Sequence, residues 1–306
     1  VGAALLGVVS ARAELVYYRD SAGNLQSREC SIVESLGPST TAYVGMGGWR
    51  AVKGDISLRG IIVEGNGHLI LCDGAKLTLD EGLVCSSWDV ITIYGQKDGT
   101  GILEATGKDA KAGIGPEGDD TSNRHLKLVI NGGIIKAKGG PTRSYMTSMD
   151  RLNDYAGAGI GSCSYGESAK ITINGGIVFA IGGDDPKGNN PGSGLGCGGY
   201  GYLWSGQLTM NGGTFTALGG MGSNGERAVA FGQMNYTDYD ALRNGRSILA
   251  GETATTATIT TDWSWLKKPY VRVIPTPAPV DYRNWDPANR RFVDARNLTC
   301  TVVTKS

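Results

Sequence analysis

Three near-copies of one phrase restrict this chain more than anything else in it: Leu128-Val-Ile-Asn131-Gly-Gly-Ile-Ile-Lys-Ala137-Lys-Gly-Gly140, Ile171-Thr-Ile-Asn174-Gly-Gly-Ile-Val-Phe-Ala180-Ile-Gly-Gly183 and Leu208-Thr-Met-Asn211-Gly-Gly-Thr-Phe-Thr-Ala217-Leu-Gly-Gly220. Each copy holds alternating apolar residues, then Asn-Gly-Gly, a second alternating run and a closing Gly-Gly. That pattern predicts two short strands joined by a corner, repeated as the rungs of a stacked β solenoid.

A third element recurs between the copies. Ala112-Gly-Ile114-Gly, Ala158-Gly-Ile160-Gly, Ser193-Gly-Leu195-Gly and the more degenerate Val229-Ala-Phe231-Gly give each turn a third short strand between glycines. The asparagines are spaced 43 and 37 residues apart, so the turns share a core and differ in loop length. Upstream, His68-Leu-Ile-Leu71, Lys76-Leu-Thr-Leu79, Gly82-Leu-Val84 and Val90-Ile-Thr-Ile93-Tyr94-Gly95 keep the rhythm without Asn-Gly-Gly. Gly101-Ile-Leu-Glu-Ala105-Thr-Gly107 matches the second strand. This makes about six rungs between Val52 and Phe231, where such architectures need at least about three.

Period 2 sorts the residues of each phrase. In the first strand Leu128/Ile130, Ile171/Ile173 and Leu208/Met210 should point inward; in the second, Ile135/Ala137, Val178/Ala180 and Phe215/Ala217. The repeated small Ala predicts a narrow cross-section there. Asn tolerates a left-handed backbone and Gly has no side chain to forbid one, so Asn-Gly-Gly suits a sharp corner. Asn131, Asn174 and Asn211 can then stack as a hydrogen-bonded amide ladder.

Composition fits a fold with many tight corners: 49 glycines among 306 residues without a Gly-X-Y period, which excludes collagen. Lys plus Arg and Asp plus Glu balance at 29 each, so no net field draws the chain to nucleic acid. The only histidines are His68 and His125, too few for a His-based zinc centre or a Ser-His-Asp site. His68 reads as a wall residue.

Both ends bear on location. Val1 to Ser10 is small and apolar, and Ala11-Arg12-Ala13 before Glu14 fits an A-x-A cleavage pattern, so residues 1–13 read as the remnant of a signal peptide or else as an apolar first strand. Residues 14–50 are then an N-terminal capping segment, 51–246 the solenoid, 247–274 capping strands with Thr258-Ile-Thr260, Trp263, Trp265 and Tyr270-Val-Arg-Val273, and 275–281 a stiff Pro-rich linker. Tyr282-Arg-Asn-Trp285-Asp286 through Cys300-Thr-Val-Val303 loosely echoes Tyr17-Tyr18-Arg-Asp20 through Cys30-Ser-Ile-Val33, so residues 282–306 read as the start of a second module.

Gly67-His-Leu-Ile-Leu-Cys-Asp73-Gly-Ala75, Leu77-Thr-Leu79, Ile91-Thr-Ile93-Tyr94-Gly95 with Gly99-Thr-Gly101, and the repeated Ala-Gly-Ile-Gly and Ile-Asn-Gly-Gly phrases resemble bacterial secreted and surface proteins of the pectin-lyase-like type. The resemblance covers about residues 50 to 235. It implies an all-β right-handed parallel β-helix, a place outside the cell or on its surface, and no membrane span in the mature chain. Some relatives with Asn-Gly-Gly repeats bind carbohydrate, but these are scaffold phrases and carry fold more safely than function.

Pectate lyases on this scaffold use carboxylate-bound calcium and a basic residue, within phrases this chain lacks. Calcium therefore stays an open reading that no motif supports. A glycoside hydrolase needs two carboxylates about 5 to 9.5 Å apart; Asp119/Asp120, Asp150/Asp154, Asp184/Asp185 and Asp238/Asp240 are the acidic pairs. Adjacent loop acids are commonly turn residues, and no catalytic residue is assigned. Glycan binding draws on two insertions at one corner of successive rungs, which carry Arg143, Tyr145, Asp150, Arg151, Asp154 and Tyr155 in the first and Asp184, Asp185 and Lys187 in the second. Flat aromatic faces and forked donors suit sugar rings and uronate carboxylates. Tyr200, Tyr202 and Trp204 form a second aromatic group at another corner. Both groups have an alternative reading as loops packing on themselves.

A third reading is a passive stalk. The outward side of the second strand carries Ile177, Phe179 and Ile181, apolar for a face in water, so the segment before the solenoid, a terminal segment or another chain should cover it, and an uncovered patch would mark a partner site. Cys163 and Cys197 follow the third strands of neighbouring rungs, near enough in register for a disulfide, although their offsets from Ile160 and Leu195 differ by one residue. Buried free thiols are the other reading, which Cys72 and Cys85 in strand runs favour.

Overall fold

The structure, a computed structural model, describes residues 13–33, 41–44, 48–85, 89–116, 125–142, 156–161, 168–188, 190–196, 205–225, 227–228, 231–232, 249–250, 257–260, 270–277, 285–286, 291–292 and 298–305. Every regular element among them is a β-strand. An antiparallel hairpin comes first, β1 (Ala13–Arg19) with β2 (Leu25–Val33), and then β3 (Thr41–Val44). From there strands come in triplets: β4 (Trp49–Val52), β5 (Asp55–Leu58), β6 (Gly60–Val63); β7 (Gly67–Leu71), β8 (Lys76–Leu79), β9 (Leu83–Cys85); β10 (Val90–Gly95), β11 (Ile102–Thr106), β12 (Ile114–Pro116). The three phrases and their third strands supply β13 (His125–Ile130), β14 (Ile134–Lys138), β15 (Ile160–Gly161); β16 (Ser168–Ile173), β17 (Ile177–Ile181), β18 (Leu195–Gly196); and β19 (Ser205–Met210), β20 (Thr214–Leu218), β21 (Phe231–Gly232). Six further strands follow: β22 (Leu249–Ala250), β23 (Ala257–Thr260), β24 (Tyr270–Pro277), β25 (Trp285–Asp286), β26 (Arg291–Phe292) and β27 (Leu298–Lys305).

The members of each triplet visit three sheets in rotation. First strands lie in a ten-stranded sheet ordered β1-β2-β4-β7-β10-β13-β16-β19-β23-β22, second strands in an eight-stranded sheet ordered β27-β24-β20-β17-β14-β11-β8-β5, and third strands in a seven-stranded sheet ordered β21-β18-β15-β12-β9-β6-β3. Neighbouring triplet strands are parallel, with Ile130 beside Ile173, Ile173 beside Met210, Ala137 beside Ala180 and Ala180 beside Ala217. Alternation buries what it predicts: Leu128, Ile130, Ile135, Ala137, Ile171, Ile173, Val178, Ala180, Phe215 and Ala217 join one core cluster.

The asparagine corners coincide on successive triplets. Asn174 N donates to Ile130 O (2.7 Å) and Asn211 N to Ile173 O (2.7 Å), while Asn174 Nδ2 donates to Asn131 Oδ1 (2.7 Å) and Asn211 Nδ2 to Asn174 Oδ1 (2.6 Å). The ladder of amides therefore forms as read. The left-handed backbone, however, falls on the second glycine of each phrase, Gly133, Gly176 and Gly213 at φ 88°, 91° and 74°, and not on the asparagines. The asparagine keeps an ordinary backbone that aims its amide along the stack, and the residue with no Cβ takes the strained angle.

Antiparallel strands close the far end: β23 pairs with β19 and β24 with β20, covering edges that would otherwise invite pairing. Trp263 and Trp265 lie outside the described residues. β24 runs on through Pro275 and Pro277 and pairs with β27. Residues 275–277 of the stretch read as a linker and residues 298–305 of the segment read as opening a second module are thus paired in one sheet, while β25 and β26 of that segment pair with each other in a separate one and residues 278–281 lie outside the described residues. At the other end Ala13, read as closing a signal segment, begins β1 and pairs with Ser31.

The β1–β2 hairpin packs on the outside of the first-strand sheet. Tyr18 meets Trp49 and Tyr94, Gln96 Nε2 donates to Tyr17 O (2.8 Å), and Glu14 pairs with Lys53. The face expected to be covered was a different one, that of the second strands; there Phe179 is 37% exposed and Ile177 and Ile181 are half-buried. The hairpin sits instead on the rings of Trp49 and Tyr94 through Tyr18.

Candidate functional site

The corner between second and third strands, where the insertions leave, is built from stacked backbone. Gly139 N donates to Ile181 O (2.8 Å), Gly182 N to Leu218 O (2.9 Å), Thr142 N to Asp184 O (3.3 Å) and Asp185 N to Met221 O (2.8 Å). The third-strand glycines make the close approach to the second strands: a Cβ on Gly159 would stand 2.5 Å from Ile181 N and one on Gly194 2.7 Å from Leu218 N. Equivalent loops of successive triplets therefore do leave one corner.

Its two described acids are committed to the loops. Asp185 is 2% exposed. Its Oδ1 accepts from Thr142 Oγ1 (2.9 Å), Gly188 N (2.9 Å) and Lys187 N (3.3 Å), and its Oδ2 from Asn190 N (2.8 Å). Asp184 accepts from Lys138 Nζ (2.9 Å) and Met221 N (2.9 Å). Burial pushes the Asp184 carboxyl up, but Lys138, the Met221 N–H and Arg227 together hold it below the usual carboxylate range. Lys187 is exposed. Arg143, Tyr145, Asp150, Arg151, Asp154 and Tyr155, like Tyr200, Tyr202 and Trp204, lie outside the described residues.

A second cluster escaped the sequence reading. Trp49 stacks on His68 with ring centroids 4.2 Å apart and planes 9° from parallel, and on Tyr94 at 5.2 Å. Tyr18 sets its edge on Tyr94 at 4.7 Å, and the Arg28 guanidinium stands 5.4 Å from the Trp49 ring centre. His68 Nδ1 and Tyr94 Oη share a hydrogen bond at 3.1 Å. Burial, then the Arg28 charge, hold the His68 pKa down, and burial pushes the Tyr94 hydroxyl up to about 12. His68 is thus a neutral wall residue near pH 7, and the cluster seats the hairpin. Strand register was the available signal: Trp49 pairs with His68, which pairs with Thr92, two residues before Tyr94.

No protein family, curated protein or solved structure matches this chain. Its chemistry is therefore read from its own residues. Among the described residues no group of three or more His, Cys, Asp or Glu side chains is placed to hold a metal ion. Cys30, Cys72 and Cys85 are buried free thiols, and burial pushes Cys72 up to about 11 and Cys85 to about 12, far from thiolate chemistry at neutral pH. Cys163 and Cys197 lie outside the described residues, although Gly161 and Gly196, close before them, are paired. The outer side of the second-strand sheet carries a charge ladder in which Glu104 takes Lys76 (2.8 Å) and Lys136 (2.8 Å), next to Phe179 in the row of Lys136.

Proposed function

We propose that this chain is a non-catalytic module of a secreted or cell-surface bacterial protein, a right-handed parallel β-helix of the pectin-lyase-like type that binds glycan or adheres. The rotation of strands through three parallel sheets supports the helix, and parallel crossovers are right-handed almost without exception. The observation that carries the binding role is the corner of stacked loops at Thr142, Asp184 and Met221. The insertion that carries Arg143, Tyr145, Arg151 and Tyr155 begins there, directly after Thr142, and Lys187 follows Asp184 and Asp185 in the next one. Non-catalytic is favoured because Asp184 and Asp185 already accept hydrogen bonds that hold the loops. The exposed Phe179, with Ile177 and Ile181, supports a protein contact on a second face.

A glycan array on the isolated chain, followed by a product assay on every hit, tests this. Binding without turnover is the expected result. Turnover would make the chain a polysaccharide lyase or glycoside hydrolase, and no binding at all would leave a stalk.

A further inference from the structure

Four large apolar side chains stand exposed among the described residues: Leu15 (58%), Tyr17 (53%), Leu25 (56%) and Phe179 (37%). The first three share one face of the β1–β2 hairpin. Alternation explains this, because Glu14, Val16 and Tyr18 turn toward the sheet beneath, where they meet Lys53, the core and the Trp49–Tyr94 rings. Leu15, Tyr17 and Arg19 therefore turn away, beside their cross-strand partners Glu29, Ser27 and Leu25. The outer face is three rows deep, with an acid in the first row, a ring in the middle and a base in the last.

We propose that a second copy of this chain covers this face, hairpin on hairpin, about a two-fold axis that crosses the strands at Tyr17 and Ser27. Charge complementarity selects the occupant and the axis. Rotation about that line lays the row of Arg19 and Leu25 over the partner's row of Leu15 and Glu29. Arg19 then stands one strand over from the partner's Glu29, and symmetry makes this ion pair twice. Leu15 meets the aliphatic stem of the partner's Arg19, and Tyr17 meets its own counterpart. A two-fold axis along the strands would instead leave Arg19 one strand over from the partner's Arg19 and Glu29 one strand over from the partner's Glu29, like charge beside like. Arg19 is placed for the role, since its Nη1 donates to Gly23 O (3.0 Å) at the hairpin turn. A single hairpin face falls short of the ~800 Å² per partner of a standard interface, so the dimer is weak and concentration-dependent. The proposal does not depend on the glycan reading.

Sedimentation velocity of the chain, from micromolar to submillimolar, reads the association. The expected result is a shift from monomer to dimer with rising concentration. Y17S and E29R should each weaken it, E29R by about tenfold or more because like charges then face each other. R19E mixed with E29R should restore association as a heterodimer, and the double variant R19E/E29R as a homodimer. Y17S and E29R keep Arg19 and its bond to Gly23 O, so they keep the test decisive if R19E loosens the turn. A chain that stays monomeric throughout, or a dimer indifferent to both Y17S and E29R, overturns the proposal.

Discussion

Asn174 occupies the middle of the amide ladder, and its replacement should cost more than replacement of its neighbour at the end. Its Nδ2 donates to Asn131 and its Oδ1 accepts from Asn211, in a side chain that is 6% exposed. Asn174→Ala removes both bonds and orphans two groups, Asn131 Oδ1 and Asn211 Nδ2. At about 1–3 kcal/mol for each buried polar group left unpaired, the loss is about 2–4 kcal/mol once partial hydration of the Asn211 end is allowed for. Asn211→Ala orphans only Asn174 Oδ1, and it deletes an Oδ1 that already has no partner, so about 1–2 kcal/mol is expected. Urea unfolding followed by circular dichroism measures both, with equal m-values required for the comparison. A double-mutant cycle between the two sites should show coupling, because each change removes the same Asn174–Asn211 bond. Equal losses at the two positions, or additive ones, would refute the reasoning.

Gly176→Ala meets a left-handed backbone at φ 91° and a Cβ 2.5 Å from Gly133 O, whereas Gly54→Ala meets φ 70° with open space around it. Gly54→Ala should therefore cost about 1–2 kcal/mol of backbone strain and Gly176→Ala clearly more; thermal unfolding of the pair decides, and equal losses count against the collision. The depressed His68 pKa makes stability pH-dependent. Below about pH 6.5 the unfolded chain takes up a proton that folded His68 refuses, so stability falls as pH drops through that value and is flat with respect to this group above it. Melting temperatures at pH 7.5 and 5.5 should differ more for the native chain than for His68→Phe, and an identical difference in both would discount the effect. Thiol counting after denaturation without reductant should find Cys30, Cys72 and Cys85 free; protection of any of them would contradict their place in the core.

The inner face of the strands was legible because period 2 needs only neighbouring residues, and the phrases themselves set the register that brings Ile130 beside Ile173. The amide ladder followed from that register. Which residue of Asn-Gly-Gly takes the positive φ did not, since Asn and Gly both tolerate it and only the direction of the stacked amides decides. The seat of the hairpin was hidden for another reason: Trp49, His68 and Tyr94 come from three triplets and become one surface only when the strands are aligned. Pro275 and Pro277 read locally as a stiff linker, but they lie beyond Val273, where the pairing of β24 with β20 stops and one side of the strand accepts proline, and the pairing with β27 is non-local information. At the loop corner, the spacing placed the insertions together, while the hydrogen bonds that occupy Asp185 depend on a loop conformation that no periodicity encodes.

The unequal insertions have a consequence for how freely this scaffold can be rebuilt. β11 ends at Thr106 with β12 starting at Ile114, yet β14 ends at Lys138 with β15 starting at Ile160, and still Ile114 pairs with Ile160 and Thr106 with Lys138. Connection length and strand registration are decoupled at this corner. By the logarithmic dependence of loop closure, tripling a connection costs about 1 kcal/mol, small beside the burial of one core side chain. Foreign peptides spliced after Thr142 would be carried as cargo on a frame that does not register their length, and neighbouring connections could be exchanged one at a time to tile a chosen surface.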